Sequence, residues 1–123
     1  MTTYKKNWGS ESTGTATVGT TESTILDIDL TTSGLEGVEV TLQVVGSGDT
    51  DDLDASFYKS RDGTNDDDIT FYEFSFPTPD TESDQKTFTF LNTAHILVGT
   101  KSSGSTNTFT VTYSWKGWNW TDA

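Results

Sequence analysis

The sequence contains no cysteine, and its 123 residues include only two prolines, one methionine, one histidine and seven basic side chains. Each shortage excludes something. Without cysteine there is no disulfide framework, thiol nucleophile or thiolate metal site, so the fold must stand on packing alone. With a single histidine, His95, a serine nucleophile has one candidate base. That residue lies in the run TAHILVG among apolar neighbours, the setting of a strand histidine that is half buried or at a partner contact. No G-x-S-x-G, H-E-x-x-H or phosphate-loop pattern occurs. Carboxylate pairs for glycoside chemistry would come from Asp27, Asp29, Glu39 or Glu73, which alternate outward on apparent strands and read as a solvated face. No catalytic residue is assigned, and the chain reads as a non-enzyme.

The few basic residues stand against nineteen acidic ones, a formal charge of −12. Binding a phosphate backbone requires clustered Lys and Arg that displace counterions, so a nucleic-acid partner is not expected. No apolar run approaches the roughly 18 residues that span a bilayer, so no membrane contact is expected either. The opening residues, MTTYKKNWG, carry two lysines but no apolar stretch of the kind a secretory signal needs. The expectation is a protein made in the cytoplasm and not exported by the general route. The low hydrophobic content, 31%, would suit disorder, but 12% aromatic residues and a clear periodicity oppose it.

Threonine supplies about a fifth of the chain, and its β-branched side chain favours a pleated, half-solvated surface over a helix. Leu26, Ile28 and Leu30 alternate with Asp27 and Asp29, and Val38, Val40, Leu42 and Val44 alternate with Glu39, Thr41 and Gln43. Leu53, Ala55 and Phe57 continue the pattern. Further strands are predicted over Ile69 to Phe76, around Phe88 and Phe90, over Ala94 to Val98, and from Phe109 to Trp115, with a weak first one near Gly14 to Thr20. No helix is predicted. Seven or eight short antiparallel strands in a chain of this length give one all-β domain over residues 1–123, a β-sandwich of jelly-roll type, with an immunoglobulin-like sandwich as the alternative. Residues 1–11 and 117–123 are expected as extended terminal arms.

Two groups of residues are candidates for binding. The acidic turn holding Asp62, Asn65, Asp66 and Asp68 offers oxygen ligands of the kind calcium takes, with Gly63 allowing a tight bend. Its spacing misses the EF-hand form, and mutually repelling, solvated turn carboxylates are the alternative. No other cofactor is expected. The second group is aromatic and basic and lies at the two ends of the chain: Tyr4, Lys5, Lys6 and Trp8, then Lys116, Trp118 and Trp120. Trp115 continues the inward alternation of the last strand and is assigned to the core. Trp118 and Trp120 fall beyond it, where they either cap the sandwich or anchor a partner, Trp being a preferred interface residue. A sugar-stacking role is a third reading. Acidic turns near 49–54, 62–68 and 80–84 then suggest a charge polarity, with a repelling loop side opposite a lysine and tryptophan docking side.

The segment Ala55 to Phe76, ASFYKSRDGTNDDDITFYEFSF, has a strand ending in S-x-D-G-T-N, an acidic turn and an aromatic-rich strand, and the chain later runs VGTKSSGSTNTFTVTYSW from Val98 to Trp115. Together these stretches resemble small virion structural proteins of tailed bacteriophages. The resemblance implies a β-sandwich accessory component, such as a head decoration or cement protein, that binds the major capsid protein or other virion proteins, with another virion component (neck, tail or fibre) or a carbohydrate-binding module as the alternative. It would sit on the capsid surface as a homo-oligomer, with a trimer favoured. It transfers no functional residues. Ser60-Arg61-Asp62-Gly63 is also similar to a sialidase Asp-box, but it occurs once and lacks the tryptophan that usually follows. A hairpin turn with Gly63 at positive φ is the preferred explanation.

Overall fold

Strict alternation along one strand decides which side chains meet across the fold. Val38, Val40, Leu42 and Val44 are fully buried, while Glu39, Thr41 and Gln43 between them stay half-buried on the opposite face. The computed structural model describes residues 3–46, 52–60, 69–76, 83–91, 95–103 and 108–122. Among these, nine strands and one helical turn succeed one another: β1 (Tyr4–Trp8), β2 (Ser12–Val18), β3 (Ser23–Asp29), α1 (Leu30–Ser33), β4 (Gly37–Gly46), β5 (Leu53–Ser60), β6 (Ile69–Phe76), β7 (Ser83–Leu91), β8 (His95–Ser102) and β9 (Phe109–Asp122).

The strands form two antiparallel sheets. One has the order β2-β9-β4-β7, with β1 on the same edge of β9 as β2, and the other has the order β3-β8-β5-β6. From β2 onward every connection except β5 to β6 crosses between sheets, which gives the two interleaved Greek keys of a jelly roll. The immunoglobulin-like alternative, with strands split ABED and CFG, has a different order and is excluded. The eight jelly-roll strands are β2 to β9, and β1 is an addition to them.

The core lies between the sheets. Phe57 of β5 is fully buried and packs across the gap against Phe88 and Phe90 of β7, with ring centroids 4.6 and 5.1 Å apart. Phe74 adds an edge-on contact to Phe88 at 5.7 Å, so aromatic rings close the β6 and β7 side. Leu26, Ile28, Ile96, Val98, Phe109 and Val111 fill the rest.

The sequence pattern needs correction at Leu30, predicted as a strand residue. It keeps its inward position, with 1% exposure, but begins the single turn of α1. The turn ends at Gly34 with φ +69°, and Leu35 N–H donates to the Leu30 carbonyl at 3.0 Å, a Schellman closure in which glycine takes the left-handed position. This compact stop returns the chain to the other sheet at Gly37.

Hydrogen bonds tie the connections together at one end. Ser102 N–H donates to the Gly19 carbonyl at 2.7 Å and Ser103 N–H to the Asp52 carbonyl at 2.9 Å. At the other end Glu36 N–H donates to the Trp118 carbonyl at 2.9 Å. Because Phe57 joins the two sheets at their centre, Phe57→Ala is expected to lower the unfolding free energy by about 3–5 kcal/mol in urea titration.

Candidate functional site

The terminal segments YKKNW and GWNWTD alternate polar and aromatic residues, and pairing turns that alternation into two faces of a ribbon. β1 runs antiparallel to the far end of β9, with Trp8 opposite Trp118, Lys6 opposite Trp120 and Tyr4 opposite Asp122. β4 stops pairing at Gly37, opposite Trp118. Residues 4–7 and 119–122 therefore extend past the sheet as a two-stranded ribbon. The segments expected as arms are thus paired with each other.

One face of the ribbon gathers Tyr4, Lys6, Trp8, Lys116, Trp118 and Trp120. The Trp8 and Trp118 rings lie 5.0 Å apart at 56°. The Lys6 ammonium stands 4.2 Å from the Trp118 ring and 5.5 Å from that of Trp8, and the Lys116 ammonium is 4.6 Å from Trp8. Such cation–π contacts hold the charges over the rings and contribute about 0.5–2 kcal/mol each, depending on solvation. Lys5 is not in this group, since alternation puts it on the opposite face beside Asn7, whose side-chain amide donates to Asn119 Oδ1 at 3.3 Å.

The tryptophans divide in a way the sequence did not reveal. Trp118 is 0% exposed, the burial that the capping alternative requires, whereas Trp120 is 53% and Trp8 40% exposed. The cause is Gly37, directly across from Trp118. A Cβ there would collide with the indole, so glycine provides the flat floor on which the ring lies. Trp120, two residues on, lies beyond β4 and has no such floor. Together with Tyr4, 62% exposed, it lines a shallow apolar hollow of about 450 Å³. Leu91 is opposite Gly37 on β7 and adds exposed apolar surface to the same face. A glycine paired with a tryptophan across strands was the available signal, but it requires the register.

A second concavity, not anticipated from the sequence, lies on the outer face of the other sheet. Glu22, Asp54, Ser56, Tyr58, Glu73 and Lys101 are among the residues lining a groove of about 390 Å³. Tyr58 donates to Glu22 Oε1 at 2.6 Å and Ser75 Oγ to Asp54 Oδ1 at 2.6 Å, so these two carboxylates already have donors from the chain itself. Among the described residues no three or more His, Cys, Asp or Glu side chains are placed to hold a metal ion. The calcium candidates Asp62, Asn65, Asp66 and Asp68 lie outside the described residues.

The acidic segments on which the expected charge polarity rests, near 49–54, 62–68 and 80–84, lie mostly outside the described residues.

No protein-family model and no curated protein matches the sequence. Solved structures do. A chain of the disulfide-linked pili of Bacillus endospore appendages superposes with a TM-score of 0.59 at 10% identity, covering 93% of this chain and 90% of that one. A chain of the acid-stable capsid of Helicobacter pylori bacteriophage KHP30 superposes with a TM-score of 0.58, also at 10% identity, covering 98% of this chain and 100% of that one. At this identity the likeness is one of fold.

The two terminal tryptophans give opposite expectations. Trp118→Ala opens the space beneath Lys6 and is expected to cost about 3–5 kcal/mol in urea titration. Trp120→Ala is expected to stay within about 0.5 kcal/mol of wild type. In acrylamide quenching, the Trp118→Ala protein should lose part of its shielded emission, Trp115 keeping the rest, and the Trp120→Ala protein part of its accessible emission, Trp8 keeping the rest.

Proposed function

We propose that this chain is a structural protein of a bacteriophage particle, a head decoration protein that binds the assembled shell and strengthens it. The observation that carries the reading is the exposed aromatic face of the terminal ribbon, where Tyr4 and Trp120 line an apolar hollow on a scaffold with no role for them in its core. Buried aromatic anchors supply most of the energy of protein contacts, and the lysines over the neighbouring rings orient the contact against an anionic partner patch. Two further facts support the reading. The small virion proteins of tailed phages resemble this sequence over Ala55 to Phe76 and Val98 to Trp115, and a phage capsid contains a chain of nearly the same length with the same fold.

In this reading the partner is the major capsid protein or a neighbouring virion protein, the location is the capsid surface, and several copies act together, with a trimer favoured. The pilus likeness agrees with an assembly role, but the linkage must differ because this chain has no cysteine with which to join its neighbours.

Deleting residues 1–9 is a poor test, because it strips β1 from Trp118 and unfolds the site it probes. Point substitutions on the ribbon avoid this. Purified shells lacking the protein are expected to bind the Tyr4→Ala and Trp120→Ala proteins at least about thirtyfold more weakly, as for hot-spot anchors worth 2 kcal/mol or more, with unchanged melting temperature. Binding unchanged in both variants overturns the ribbon as the docking site. Retention on an insoluble polysaccharide that Trp120→Ala abolishes would make the chain a carbohydrate-binding module instead.

A further inference from the structure

The outer faces of the two sheets differ in charge. On the β3-β8-β5-β6 sheet the outward residues include Asp27, Asp29, Asp54 and Glu73, with Glu22 lying over Gly99, against Lys101 as the one basic side chain among the described residues. The outer face of the β2-β9-β4-β7 sheet reads otherwise. One row across it runs Thr13, Ser114, Thr41 and Thr87, and the next runs Thr15, Thr112, Gln43 and Gln85. Thr17, Thr110 and Val45 follow in the third row. None of these is charged. Towards the ribbon, Lys6 and Lys116 are balanced by Glu39 and Asp122, so the strand-paired residues of this face sum to zero on a chain of net charge −12.

We propose that this uncharged face is the interface with a second copy of this chain, which deepens the assembly reading by stating where copies meet. The argument is first electrostatic. Two copies carrying −12 each repel wherever their anionic surfaces approach, and of the two described outer faces this is the one on which they can close without bringing net negative charge together. The second argument is chemical. Thr, Ser and Gln each donate and accept, so identical rows can satisfy one another, and Thr41 and Thr87 already share an Oγ to Oγ hydrogen bond of 2.9 Å in which either can be the donor. The third is area. Four strands about 4.8 Å apart and nine residues of β9 rising about 3.3 Å each, which takes in the mutually balanced Lys116 and Glu39 beside the three uncharged rows, give about 570 Å² per copy, or about 1,100 Å² for the pair. That reaches the lower range of specific interfaces. The face offers no net charge to a phosphate or to a polycation.

Sedimentation equilibrium of the full chain across a concentration series tests the proposal. The wild type is expected to self-associate up to millimolar concentration. Thr112→Asp, at the centre of the face, should weaken association at least tenfold and Thr112→Ser should preserve it. Thr20→Asp adds the same charge at an exposed residue off the face and should have no effect. Raising sodium chloride from about 20 mM to about 500 mM should strengthen association, since salt screens the repulsion between the bodies, whereas an interface between opposite charges would weaken. A wild type that remains at 13.4 kDa throughout, or an oligomer indifferent to Thr112→Asp, overturns the proposal. So does a monomeric wild type retarded in a gel containing a neutral polysaccharide such as dextran and released by Thr112→Asp. The assembly reading is judged separately by shell binding of Trp120→Ala, which leaves this face intact.

Discussion

The fold depends on the burial of two apolar sheet faces against each other, with Phe57 meeting Phe88 and Phe90 near the middle. No disulfide supports this contact, because the chain has no cysteine. Apolar burial contributes about 25 cal/mol per Å² and is non-directional, so specificity has to come from shape. Alternation on β4 and on the first part of β9 provides it by keeping every second side chain inside. The fully buried valines of β4 and the inward Phe109 and Val111 of β9 form the centre of one wall, and β5 with β8 forms the other.

Once the inner faces are committed, the outer faces are free to diverge. One carries carboxylates and a polar groove in which Tyr58 and Ser75 hold Glu22 and Asp54. The other is built of threonine, serine and glutamine and ends in the aromatic ribbon. In a chain this acidic, keeping charge away from three successive rows of a sheet has an electrostatic consequence: the repulsion that an identical neighbour would meet over the carboxylate face is absent there. The ribbon extends beyond the same face, so the shell contact and the contact between copies would lie on one side of the molecule, leaving the carboxylate face towards solvent.

Glycine has a specific part in building the ribbon. Gly37 gives Trp118 its floor, and Leu35 lies where a Cβ of Gly117 would stand. The buried Trp118 in turn supports Trp8 and Lys6, which keeps β1 on β9. Trp120 is left exposed at the end of a strand whose base is held firmly. An exposed aromatic on a rigid base suits a docking contact, because little side-chain freedom remains to be lost on binding.

Period-two alternation was sufficient to place most strands and the inward residues of β4, β5 and β9, because the side-chain direction in a strand depends only on parity. Composition alone excluded a disulfide framework for the same local reason, as it requires particular atoms to be present. What parity does not contain is adjacency. Whether Trp118 is buried depends on a glycine eighty-one positions earlier. Whether Lys5 joins Lys6 depends on β1 becoming a strand at all. Leu30 left its predicted strand because the sheet crossover required a tight turn there. The division into one charged and one uncharged outer face likewise appears only when β2, β9, β4 and β7 are laid side by side. Local sequence fixes the face on which a residue lies, and only the tertiary pairing of distant strands decides what that face looks like as a whole.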